Sequence, residues 1–199
     1  MQNDGVKWTR AVHHLSELAE KCAELATGPS YSLSVRQLWA FGNILGPADD
    51  LEWVNVVLVV DLPVEDVPWL SQPHGAEHWA NAARLPKNPI VGLWRSAHAP
   101  VWNHHIVRPA LVWDVESGVD EAVLTAVREG RGEDVRTSAP PADELRARLE
   151  DELALCLASL RRQTKEYDDR RWAPGKLTPV SDALWRASDG YLDVLDALG

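Results

Sequence analysis

The sequence has few sulfur-containing residues and few aromatic residues other than tryptophan. Its 199 residues include one Phe, one Met, three Tyr and two Cys. Cys22 and Cys156 both fall on apolar faces of predicted helices, so they are better explained as buried thiols than as a disulfide. There is no apolar run long enough to cross a bilayer, and the N-terminus has no apolar segment typical of a signal peptide. We therefore expect a cytoplasmic protein.

Positive charge is also scarce. The chain has 20 Lys and Arg against 30 Asp and Glu, and its formal net charge is −10. Nucleic acids and anionic membranes are polyanions, so the charge predicts no binding to a nucleic-acid polymer or to a membrane surface. A local basic patch could still hold one phosphate, which leaves a nucleotide or another small anion as an expected partner.

The common catalytic signatures are missing as well. The sequence has no Gly-x-Ser-x-Gly, no Walker loop, no Gly-x-Gly-x-x-Gly and no Cys-x-x-Cys. The sequence alone therefore does not specify a reaction.

Tryptophan is abundant instead. Ten residues of this type are present, namely Trp8, Trp39, Trp53, Trp69, Trp79, Trp94, Trp102, Trp113, Trp172 and Trp185. They can replace Phe and Tyr as large core residues, or several can line a pocket, because indole offers a flat face and one N–H donor. Their spacing does not decide between these two roles.

Hydrophobic periodicity predicts alternating helices and strands in the first 130 residues. A helix at 6–26 ends at Gly28-Pro29, and a half-buried strand follows within 31–42. The valine-rich segment 52–62 is typical of a strand buried on both faces. Further elements are a short helix at about 63–70 capped by Asp61, another at about 75–85, strands at 91–94 and 110–114, and a helix from Ser117 or Gly118 to Gly130.

The last third of the chain is predicted to be helical. A polar, proline-containing linker at 131–142 leads into a helix at about 142–169, and a final helix begins near Thr178. The fold class is therefore α/β (α+β), a small mixed sheet flanked by helices. Residues 1–130 form this part, and residues 143–199 form a C-terminal helical hairpin packed on it.

The segment LWAFGNILGPADDLEWVNVVLVVDLP, residues 38–63, joins two apolar runs through Gly42 and Gly46. It resembles the first two strands of the minimal nucleotidyltransferase domain, in which a glycine turn approaches a triphosphate. The resemblance implies that Gly42, Asn43, Gly46 and Asn55 contact a ligand. The alternative is that both glycines only connect two strands with positive φ.

The carboxylates of that family are largely missing. Its acid pair would fall near Trp53 and Asn55, and only Asp114 could match its third acid. Two Mg²⁺ ions need charged oxygen ligands, so we expect lost chemistry and no metal. Mg²⁺ would be the cofactor only if the nucleotidyltransferase resemblance held.

At full length, the chain resembles an uncharacterised family of actinobacterial proteins. The phrases LWAFG, NPIVGLWRSAHAPVWNH and RRWAPGKLTPVSDALWRASDGYLDVLDAL carry this resemblance. That family implies no activity.

A second cluster of candidate residues occupies GLWRSAHAPVWNHHIVRPALVWD, residues 92–114. Its polar and aromatic members are Arg95, His98, Trp102, Asn103, His104 and Arg108. Such a proline-interrupted loop can bind an anionic or aromatic ligand. The arginines would pair with the negative charge of the ligand, Trp102 would stack on its ring, and a histidine would transfer protons. The alternative is an irregular segment whose polar groups satisfy one another.

The histidines do not predict a metal site. His98 and His104 are six residues apart, and the adjacent His104 and His105 diverge on a regular backbone. His74 and His78 have helical spacing but lack the Glu of a zinc helix.

The expected function is therefore a non-catalytic, regulatory protein that binds a nucleotide or a small anion. One alternative is an enzyme in which His98 or His104 is the general base, Arg95 anchors an anion, and Asp114 contributes an acid. The other is a protein–protein interaction module with exposed tryptophans.

Overall fold

The structure, a computed structural model, describes residues 5–28 and 32–199. These residues form five α-helices: α1 (Trp8–Thr27), α2 (Ala76–Ala82), α3 (Glu121–Arg128), α4 (Ala142–Arg170) and α5 (Thr178–Leu198). They also form five strands: β1 (Val35–Phe41), β2 (Val54–Val60), β3 (Ile90–Ser96), β4 (Ala110–Asp114) and β5 (Gly118–Val119).

The strands form one mixed sheet in the order β3-β2-β1-β4-β5. β2 runs parallel to β3, and the other neighbouring pairs are antiparallel. The connection between β2 and β3 carries α2, as a parallel crossover requires. β1 and β2 lie inside the sheet, and β2 has buried side chains on both of its faces.

Alternation along β2 divides the core into two layers. Val54, Val56, Leu58 and Val60 pack against one group of residues from α1, α2 and α3. Val57 and Val59 point to the opposite face, where they pack with residues of α4 and α5. The sheet is therefore sandwiched between two helical layers, and the C-terminal helical pair forms one of them.

The predicted fold class and most predicted elements are confirmed, since α1, β1, β2, α2, β3, β4, α4 and α5 all lie where periodicity places them. Gly130 has a φ of 69°, as a helix stop in the left-handed region requires. The predicted helix stop at Pro29 and the strand start at Tyr31 lie outside the described residues. No described helix combines the length and the apolarity that a membrane crossing needs.

Two local predictions were wrong. Asp61 caps no helix; a single 3-10 turn at Val64–Asp66 follows Pro63, and no side chain caps it. Gly118 belongs to β5, and α3 begins later, with Asp120 accepting hydrogen bonds from the amides of Ala122 and Val123, both at 3.0 Å. The residues predicted to form the first helical turn instead form the two-residue strand β5.

Half of the tryptophans are core residues. Five of the ten are buried, at Trp8, Trp69, Trp79, Trp94 and Trp113, whereas Trp53, Trp172 and Trp185 are exposed. The two cysteines are buried and free, as predicted. Burial raises the pKa of the Cys156 thiol to about 11 and that of Cys22 further still, so neither is a reactive thiolate near neutral pH.

Candidate functional site

A buried ion pair joins the sheet to the C-terminal helices. Arg95 is an inward position of β3 on the face covered by α4 and α5, opposite Val59 of β2. Its guanidinium forms an ion pair with Glu152 of α4, and the two residues are each 2 % exposed. The guanidinium also lies over the Trp69 ring, 5.5 Å from its centroid. Arg95 is therefore neutralised and enclosed by the protein itself.

A second arginine shares the same carboxylate. Arg148, one turn before Glu152 on α4, donates to Glu152 Oε1 at 3.2 Å and is only 13 % exposed. Its Nε is buried without a hydrogen-bond partner among the described residues. Burial and the positive charge of Arg95 lower the pKa of Arg148, despite the opposing charges of Glu152 and Asp151. Two guanidiniums and one carboxylate leave this buried trio with one net positive charge.

Asn103 fixes the loop between β3 and β4 onto the trio. Its side-chain amide donates to Glu152 Oε2 at 3.2 Å, and its oxygen accepts from the backbone amides of His105 and Ile106, both at 2.9 Å. The carbonyl of Pro100 in the same loop accepts from Arg95 at 3.4 Å. The loop conformation is thus set by buried polar contacts rather than by regular structure.

An open groove of about 690 Å³ lies between this loop and α4. One wall is formed by Val64, His98, Ala99, Pro100 and Trp102, and the other by Glu144, Ala147, Arg148, Asp151, Ala154 and Leu155. The volume falls in the range of small-molecule sites. The half-buried Trp102 and Arg148 lie on opposite walls of the groove.

Asp193 of α5 makes three side-chain contacts close to the trio. Asp193 accepts from the indole N–H of Trp69 at 2.6 Å. It also contacts His104 Nε2 at 2.8 Å and His105 Nε2 at 3.3 Å. Burial would raise the pKa of Asp193, but the hydrogen bonds from Trp69 and His104 and the charge of the two histidines outweigh it, so the pKa is lowered. We name Trp69, His104, His105 and Asp193 the Asp193 cluster.

Comparison with known proteins places the chain in a family. Residues 6–199 match the model of a domain of unknown function, DUF7711. The chain belongs to this family. No curated protein and no solved structure matches the chain significantly.

The glycine turn of this DUF7711 domain is partly exposed, with Asn43 at the surface, and it makes contacts with its own chain at Gly42. Gly42 has a φ of 72°, and Asn55 Nδ2 lies 3.3 Å from where a Cβ would be. Arg136 donates to the Gly42 carbonyl at 2.9 Å. Gly46 has an ordinary φ of −94°, and its amide donates to the Asn43 carbonyl at 2.9 Å, so only Gly42 needs glycine for its backbone angle.

Asp114, the last residue of β4, lies beside the end of β1 that is far from the glycine turn. It pairs with Gln37, whereas Asn55 pairs with Phe41, four residues further along the strand. At about 3.4 Å per residue, this separation is roughly 14 Å. Burial would raise the pKa of Asp114, but hydrogen bonds from Gln37 and from the Glu116 and Ser117 amides, together with Arg36, lower it overall. The structure does not bring Asp114 together with the glycine turn.

The residues predicted to form the second cluster do not all lie in one place. Arg95, Asn103 and His104 lie in the buried contacts described above, whereas Arg108 turns away and pairs with Glu133 at 3.2 Å. His98 is 58 % exposed and contacts Asp61 at 3.1 Å. The enzyme hypothesis needs His98 and Arg95 to face one cleft, but only His98 lines the groove, because Glu152 encloses Arg95.

Sequence reasoning missed Glu152, Arg148, Asp193 and Trp69 as site residues. A signal for Glu152 was present, since it lies on the helical stripe of Leu145, Leu149 and Cys156, where a charged residue is out of place. Arg95 carries the same signal at an inward strand position. The divergence predicted for His104 and His105 was wrong, because their backbone is not regular and both rings reach Asp193.

Proposed function

We propose that this domain is a non-catalytic binding protein for a small aromatic anion, of the nucleoside monophosphate class, held in the groove between Trp102 and α4. The observation that carries the proposal is the net positive charge of the Arg95–Glu152–Arg148 trio. The one Glu152 carboxylate is shared by two arginines, and the buried Arg148 Nε has no hydrogen-bond partner among the described residues, so a bound anion would supply an acceptor. Arg148 is the member of the trio that borders the groove.

The other groove residues favour an aromatic ligand with little charge. Trp102 offers a face on which a planar ring can stack. Glu144 and Asp151 of α4 also line the groove, and their negative charges disfavour a polyphosphate. One phosphate and one ring therefore fit the lining better than a nucleoside triphosphate or a nucleic-acid polymer.

Replacing Arg148 by glutamine is expected to weaken binding of a nucleoside monophosphate by roughly 10- to 150-fold, which corresponds to one charge-assisted hydrogen bond. The measurement is isothermal titration with AMP, GMP, CMP and UMP, preceded by a thermal-shift screen. A ligand at 100 times its Kd stabilises a fold by about 2.7 kcal/mol, which such a screen detects.

Two control variants locate the site. Arg146→Gln removes an arginine that is 68 % exposed on the same helix and pairs with Glu150, so it should leave the Kd unchanged. Gly42→Val strains the glycine turn and should lower stability without changing the Kd. Absence of nucleotide binding, or equal binding by wild type and Arg148→Gln, would contradict the proposal. Loss of binding in Gly42→Val alone would move the site to the turn.

A second candidate function is association with protein through α5. Trp185, Leu192 and Leu195 are 65 %, 53 % and 40 % exposed and fall on one side of this helix. An interface there predicts concentration-dependent self-association or capture of a partner. In analytical ultracentrifugation, self-association should be abolished by Trp185→Lys, and a monomer at every concentration would remove the self-association form of this candidate.

A further inference from the structure

We infer that the Asp193 cluster binds a divalent transition metal, with zinc as its best match, through His104, His105 and Asp193. This inference goes beyond the proposed function and does not depend on it. Its basis is geometric: one ligand atom from each of the three residues lies within 4.8 Å of the other two.

The distances are close to those a metal would impose. Zinc bonds of about 2.0–2.1 Å in tetrahedral geometry put neighbouring ligand atoms roughly 3.3–3.5 Å apart. The His105 Nε2 to Asp193 Oδ1 distance is 3.3 Å, and the His104 Nε2 to Asp193 Oδ2 distance is 2.8 Å. The first distance matches this separation, whereas the second is to the other carboxylate oxygen, so the His104 ring must turn toward Oδ1 for the three residues to share one ion.

The surrounding contacts support the three ligands. Trp69 is buried and donates its indole N–H to Asp193 Oδ2, which leaves Oδ1 for a metal. Asn103 accepts from the amides of His105 and Ile106 and so fixes the backbone on which both histidines lie. Contacts of this outer kind orient metal ligands in proteins.

The protein alone does not satisfy the His104 ring. Its Nδ1 is buried without a hydrogen-bond partner among the described residues. Nδ1 is not the ring nitrogen that faces Asp193, so it needs a partner of its own, such as a water, when a metal occupies Nε2. His105, in contrast, is 57 % exposed, so solvent can reach the site and a water can complete the coordination.

The ligand types favour a transition metal over magnesium or calcium. Imidazole nitrogen suits zinc, copper, iron and nickel, whereas magnesium and calcium require mainly oxygen ligands. Two imidazoles and one carboxylate therefore predict zinc binding that magnesium does not displace.

The test is a zinc titration of the full chain after chelator treatment, with binding measured by competition against a chromophoric chelator. Wild type should bind one zinc ion per chain, also in excess magnesium. His105→Asn should weaken binding about 100-fold or more, and it is expected to fold because His105 is exposed. Asp193→Asn should have the same effect.

A matched control lies on α1, where His13 and His14 are also adjacent and both contact one carboxylate, Glu17. His13→Asn should leave zinc binding unchanged. No zinc binding by wild type, unchanged binding by His105→Asn, or loss of binding in His13→Asn alone would each overturn the inference. Because Arg148 lies outside the cluster, nucleotide binding and zinc binding can fail independently.

Discussion

Replacing Glu152 by glutamine is expected to destabilise the protein by about 3–5 kcal/mol, the usual cost of removing one partner from a buried ion pair. Glu152 is 2 % exposed and faces two guanidiniums, from Arg95 and Arg148. Glutamine keeps the shape and a hydrogen-bond acceptor but removes the charge. Arg95, also 2 % exposed, would then be a buried cation without a counter-ion. Urea unfolding of the purified variant measures the loss.

The same helix supplies the control for this change. Glu150→Gln removes a carboxylate that is 60 % exposed and pairs with Arg146, so its effect should stay below about 0.5 kcal/mol. Combining Arg95→Met with Glu152→Met should be less destabilising than Glu152→Met alone, because the fully buried cation is then removed and only Arg148, which borders the groove, has lost its partner. Equal stability of Glu152→Gln and Glu150→Gln would show that the trio is not buried as described.

Replacing Gly190 by alanine is expected to destabilise the protein by about 1–3 kcal/mol, although helix propensity alone predicts a gain of about 1 kcal/mol. Gly190 is a buried position of α5 that lies against the backbone of Trp69. A Cβ there would overlap the Trp69 carbonyl oxygen and lie 3.5 Å from Leu70 Cβ. Leu70 already has a φ of 57°, so this backbone has little freedom to move away.

The sign of the Gly190 effect separates packing from propensity. Asp189→Ala changes the exposed neighbouring position and should be neutral or slightly stabilising. A stability increase in Gly190→Ala would mean that α5 does not pack closely on Trp69. Since Trp69 holds Asp193, the same variant should also weaken zinc binding in the Asp193 cluster.

Much of the fold follows from sequence patterns that depend on nearby residues. The valine run of β2 and the stripe of α4 are local signals, and the structure confirms both elements. The start of α3 was missed because Gly118 and Val119 had been assigned to the helix. The capping residue Asp120 was visible in the sequence, and the amides of Glu116 and Ser117 bond to Asp114 in the turn that precedes β5.

The candidate site was less predictable because it depends on packing between distant segments. A charged residue at an inward position, such as Arg95 or Glu152, indicates a buried partner but does not identify it. The convergence of His104 and His105 on Asp193 requires both an irregular loop and the docking of α5 on Trp69. The glycine turn is a local motif, and the ligand contact predicted for it stays a prediction; the structure adds that Arg136 donates to the Gly42 carbonyl.

The central claim, that the groove beside the trio binds an aromatic anion, is tested most directly by NMR of the indole N–H groups. Ten such signals are expected from the ten tryptophans, and Trp102→Leu identifies the one in the groove. Titration with a nucleoside monophosphate should shift the Trp102 signal and leave that of Trp53, near the glycine turn, in place. A shift of Trp53 without Trp102, or no shift at all, would contradict the account.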